Sequence, residues 1–183
     1  MNEPENIAHR DDIVQGNNAD TAAINSLIAA LASDDGVLRV HARRSLVAIG
    51  EQATGPLVKV LTAPNQWVRW EAAKALGQIG NPSAAQALVG ALEDKMFDVR
   101  WLAAEGLIAI GRDALIPLLH ALLKRSDSPW LREGAHHILH DLVIGNIEEV
   151  KRPVLAALED TEPSIEVPIA AKNALDKLTG KKG

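Results

Sequence analysis

The sequence predicts an all-α protein built as a stack of repeated two-helix units, and three observations carry that reading. The apolar content is almost wholly Ala, Leu, Ile and Val, with four Trp, one Phe and no Tyr among 183 residues; Ala and Leu are strong helix formers. One pattern returns along the chain, most plainly as "VRWEAAKALGQIG" from Val68 and "VRWLAAEGLIAIG" from Val99. An apolar stretch and a short turn precede each copy, as expected of a stack in which each unit buries its apolar face on its neighbours.

Taken in order, unit one pairs "INSLIAAL" with "LRVHARRSLVAIG" from Leu38, and unit two pairs "GPLVKVL" with the Val68 segment. Unit three joins "AAQALVGAL" to the Val99 segment. Unit four joins "ALIPLLHALL" to "LREGAHHILHDLV" from Leu131, and unit five joins "VKRPVLAAL" to "VPIAAKNALDKLT" from Val167. The second helices start 30, 31, 32 and 36 residues apart. The predicted repeats run 21–53, 54–82, 83–113, 114–146 and 147–180, within a solenoid over 21–183. Asp35, Asn65, Ser128 and Ser164 stand where an N-cap is wanted, with Met96 the exception. Gly50, Gly80 and Gly111 stand where a left-handed residue ends a helix. Pro117 and Pro153 are placed in first turns, where a missing N–H costs little.

The pattern V-R-x-x-A-A-x-A-L-G-x-I-G, read from Val68, Arg69, Ala72, Ala73, Ala75, Leu76, Gly77, Ile79 and Gly80, resembles the HEAT repeat in its short bacterial, bilin-lyase-type form. The resemblance covers roughly residues 21–180 and implies a right-handed α-solenoid of about five two-helix repeats. Val143 and Thr179 replace the final Gly in units four and five, and Pro168 replaces the Arg; terminal repeats are often atypical. The fold alone does not assign an activity.

At about 100° per residue, numbering each second helix from its Val or Leu as zero, positions 0, 4, 7, 8 and 11 form the core side. Position 1 is Arg39, Arg69, Arg100 and Arg132, a structural ladder by resemblance. Positions −1, 2, 3, 6 and 10 form the opposite stripe, which in HEAT-like solenoids lines the concave surface. The expected binding residues there are His41, Arg44, Trp67, Trp70, Glu71, Lys74, Trp101, Leu102, Glu105, Trp130, Glu133, His137 and Asp141. All four Trp fall on the stripe. Grouped large amphipathic side chains supply contact area at interfaces; the plainer alternative is that each Trp lies across the next repeat as a spacer. Charge along the stripe runs from positive (Arg44, Lys74) to negative (Glu71, Glu105, Glu133, Asp141), which suits an extended ligand with the opposite gradient.

Other chemistry finds little support. Absence of cysteine excludes disulfides and thiolate ligands. His137, Asp141 and Glu105 are metal candidates by proximity only, without a standard spacing, and neither a metal nor a cofactor is expected. No His-Glu dipeptide occurs, which argues against the iron chemistry of the HEAT-like deoxyhypusine hydroxylases. Of the net charge of −5, −4 belongs to residues 1–20, a polar acidic tail read as disordered. The near-neutral remainder lacks the cationic surface of the HEAT-like DNA glycosylases, so nucleic acid is not an expected partner. The N-terminus lacks a signal-peptide pattern, and the chain is read as cytoplasmic, with no membrane role. The expected function is a non-catalytic scaffold that binds another protein or an extended peptide. The alternatives are a bilin lyase-like or other ligand-handling protein, and a stack whose groove holds its own acidic tail.

Overall fold

Helix boundaries follow the capping residues closely. A computed structural model describes residues 20–143, 145 and 147–180; apart from Asp20, the acidic tail lies outside them. After a helix at 20–30 (α1), the chain forms α2 (Gly36–Ile49), α3 (Glu51–Val60), α4 (Gln66–Ile79), α5 (Ala85–Ala91) and α6 (Phe97–Ile110). Then come α7 (Leu115–Lys124), α8 (Pro129–Asp141), α9 (Glu148–Leu158) and α10 (Pro163–Thr179). Asp35, Asn65 and Ser128 accept backbone N–H bonds from the first turns of α2, α4 and α8. At α6 the Asp94 carboxylate accepts from the Met96 N–H instead. Gly50, Gly80 and Gly111 stop their helices at φ of 74°, 66° and 77°, a region that side-chain-bearing residues avoid. Two expectations shift: α10 begins at Pro163, so Ser164 lies inside it, and Pro153 sits in the middle of α9.

The second helices pack in sequence, α2 on α4, α4 on α6 and α6 on α8. Their core sides hold the alanines and leucines predicted for them: Val68, Ala72, Ala75 and Leu76 are all buried. Small residues allow close approach; a Cβ built on Gly77 would stand 3.0 Å from the Gly106 Cα. The run Phe97–Lys124 is apolar and long enough to cross a membrane by length and composition alone. It is broken at Gly111, however: α6 packs on α4 and α8, whereas α7 packs on α5.

The arginine ladder is explicit. Arg39, Arg69, Arg100 and Arg132 each donate from Nη1 to the carbonyl six residues earlier, on Ser33, Ala63, Asp94 and Ser126, at 2.6–3.0 Å. Each arginine thus satisfies a carbonyl left open by the turn between the two helices of its own unit.

The fifth hairpin departs from the stack. α10 packs mainly on α7 and α9, and α8 touches α9, so the two helices of this unit exchange layers. α8 ends at Leu142 in extended conformation (ψ 102°), without the left-handed glycine that turns the chain back after α2, α4 and α6. Lys151, buried, donates to the Leu142 carbonyl at 3.1 Å and pairs with Glu148 at 2.8 Å, tying the new corner down.

Candidate functional site

The seams between successive second helices decide what the predicted stripe can do. At about 100° per residue, positions 5 and 3 lie on opposite flanks of a helix, so position 5 faces the next repeat and position 3 faces the preceding one. In the first seam these are Arg43 and Glu71. Arg43 Nε lies 2.8 Å from Glu71 Oε2 and its Nη1 donates to Gln78 Oε1 at 2.6 Å, with both charged groups buried. Arg39 Nε stands 3.8 Å from the other Glu71 oxygen. Glu71 therefore leaves the predicted binding set: it is 2% exposed and fills the seam. Leu102, at the same position of α6, is half-buried against the core beside Ala73 in the second seam. His41 is exposed; among the described residues no second helix precedes α2.

In the third seam the corresponding pair is Ala104 and Gly134, which fill nothing. A cleft of about 90 Å³ results, lined by Phe97, Arg100, Trp101, Ala104, Trp130, Glu133, Gly134 and His137. Here the aromatic residues gather. Trp101 and Trp130 are 47% and 45% exposed. The His137 ring stacks on Trp101 at 4.5 Å and 22°. The Arg100 guanidinium lies 4.8 Å over Trp130 and 5.5 Å over Phe97.

The remaining predicted residues fall into two groups. Trp67 is exposed at the start of α4 and carries Arg39 of the preceding unit 4.7 Å above its ring. Trp70 is half-buried against the core, with Lys74 4.6 Å above it; it serves packing more than the groove. Arg44 is exposed and Lys74 half-buried on the middle of the stripe. Exposed apolar side chains thus run along the first turns of the second helices as Val37, Leu38, Trp67, Phe97, Trp101 and Trp130. Phe97 is outside the expected binding set, one place before position −1, and Arg100 is expected there only as a ladder residue.

The metal candidates do meet, but as a direct network. His137 Nε2 lies 2.9 Å from Glu105 Oε1 and its Nδ1 3.3 Å from Asp141 Oδ2. The other Asp141 oxygen lies 2.7 Å from His140 Nδ1, and this contact leads the causes that hold the Asp141 carboxyl below its ordinary pKa. Among the described residues, no group of three or more His, Cys, Asp or Glu is arranged to hold a metal.

Repeated helix pairs, stacked second helices and a ladder of position-1 arginines define a HEAT-type solenoid. A family profile described as HEAT repeats matches residues 24–107. The alpha subunit of phycocyanobilin lyase from Picosynechococcus sp. is 34% identical over 120 residues, covering 61% of this chain and 44% of the relative. The beta subunit of phycocyanobilin lyase from Thermosynechococcus vestitus is 29% identical over 174 residues, covering 86% of this chain and 82% of the relative. The chain therefore spans less than half the length of the first of these relatives and most of the second. The chain thus carries HEAT repeats over residues 24–107 and is similar to these two lyase subunits.

Proposed function

We propose that the protein is a non-catalytic recognition module that binds a partner protein or extended peptide along the first turns of its second helices. The observation behind this reading is the concentration of half-exposed Trp67, Phe97, Trp101 and Trp130 on one band. Phe97, Trp101 and Trp130 line one cleft, and grouped exposed apolar surface of this kind marks interaction sites. Affinity purification from cells of the source organism, comparing wild type with a Trp101→Ala, Trp130→Ala double variant of unchanged helicity, tests it. The double variant is expected to lose the specific partner; equal recovery by both forms removes the proposal.

A second reading has its own support in the two relatives, both named as phycocyanobilin lyase subunits. On that reading the aromatic band handles an open-chain tetrapyrrole, with His137 and Trp101 offering a stacked face. Adding a bilin and following its visible band separates the two: a saturable spectral change abolished by Trp101→Ala favours chromophore handling. Since both relatives are named as subunits, a protein partner is compatible with either reading.

A further inference from the structure

We infer that the cleft between α6 and α8 receives a basic side chain, lysine or arginine, from the partner segment; this rests on the aromatic band being a protein-binding surface. Three of the four indoles already carry a cation: Arg39 over Trp67, Lys74 over Trp70 and Arg100 over Trp130, at 4.6–4.8 Å. Rings in this protein thus repeatedly hold cations on their faces, an arrangement favoured by the ring quadrupole. Trp101 carries neither lysine nor arginine among the described residues; the His137 ring stacks on it at 4.5 Å, and it is still 47% exposed.

Charge supplies the second argument. Glu133 lines the cleft, is exposed, and makes no hydrogen bond or ion pair among the described residues. Asp98, next to Phe97, is likewise exposed and unpaired. Arg100, which also lines the cleft, forms no ion pair with Glu133 among the described residues. Arg100 donates to the Asp94 carbonyl at 3.0 Å while packed on Phe97 and Trp130, and His137 lies between Glu105 and Asp141. An unpaired carboxylate beside aromatic walls is complementary to an incoming cation, not to an anion.

Size supplies the third. The cleft, about 90 Å³ and open to solvent, has room for an unbranched methylene stem along its aromatic walls. Lysine and arginine bury such stems while keeping the charged head at the rim, here toward Glu133.

The test uses three probes on the full chain: acetyl-tetralysine amide, the same peptide with every lysine Nε-acetylated, and acetyl-tetraglutamate amide. The four indole N–H signals of the ¹⁵N-labelled protein report position, assigned by single Trp→Phe variants. The lysine peptide is expected to shift the Trp101 and Trp130 signals saturably. Acetylation, which keeps the stem and removes the charge, and Glu133→Gln are each expected to weaken binding about fivefold, the upper range for an exposed ion pair. Equal binding of the acetylated peptide, no effect of Glu133→Gln, or preference for the glutamate peptide overturns the basic side chain and leaves the aromatic band as a binding surface. Failure of all three probes to move any indole signal counts against both.

Discussion

The first and third seams of the stack are built at the same positions and end in opposite states. Between α2 and α4, position 5 contributes Arg43 and position 3 contributes Glu71, and the pair is sealed from solvent with Gln78. Between α6 and α8 the same positions hold Ala104 and Gly134, and the space opens as an aromatic cleft. Both junctions bring the same repeat positions opposite one another. Two side chains per seam decide whether the junction is closed by a buried ion pair or left available to a ligand. Gly134 has its own reason to be small: a Cβ there would stand 2.9 Å from Leu92 Cδ2.

If that contrast is correct, Glu71→Ala should be the most damaging substitution on the predicted stripe. It leaves Arg43 buried without its carboxylate, for about 3–5 kcal/mol. Glu133→Ala in the third seam should stay within about 0.5 kcal/mol. Urea denaturation of the two variants measures the difference, and equal losses would erase the distinction between the seams. Asp94→Asn probes the turn side of the stack, where Arg69 Nε lies 2.6 Å from Asp94 Oδ2. Burial alone would raise the Asp94 carboxyl, but the hydrogen bonds from Arg69 and the Met96 N–H outweigh it and hold its pKa below the ordinary value. A depressed carboxyl contributes stability above its unfolded pKa of about 3.9 and loses it as pH falls through the folded value. The Asn variant should lose about 2 kcal/mol at neutral pH and show a shallower loss below about pH 4, seen in melting temperatures across pH. Gly77→Ala addresses the middle seam, where backbone meets backbone. Overpacking of about 1–3 kcal/mol, offset in part by the better helix propensity of Ala, leaves a net loss near 1 kcal/mol, readable as a lowered urea midpoint.

Much of this architecture was legible in the sequence, since caps, glycine stops and alanine faces are local signals. Asp35, Asn65 and Ser128 cap as read, and the position-1 arginines are structural. The seams were less legible. Glu71 was placed on the groove because helical arithmetic treats one helix at a time, while its partner Arg43 is 28 residues away. Charges of opposite sign at positions 5 and 3 of adjacent repeats were the available signal. Placing Phe97 in the cleft likewise required knowing that α6 and α8 leave a gap beside it. The layer exchange of α9 and α10 accompanies the missing glycine after α8; the sequence shows that departure, but not where the chain goes instead.

The arginine ladder also bears on the order in which the molecule assembles. Each position-1 guanidinium reaches a carbonyl only six residues back, so that contact closes a very short loop at little entropic cost. The Arg43–Glu71 contact needs two finished hairpins to meet. Corners can therefore form early and independently, and docking of neighbours follows as a separate, nearest-neighbour process. A chain dominated by such local closures belongs with the fast-folding topologies, and α10 is the exception, since it also packs on α7, which begins 48 residues before it.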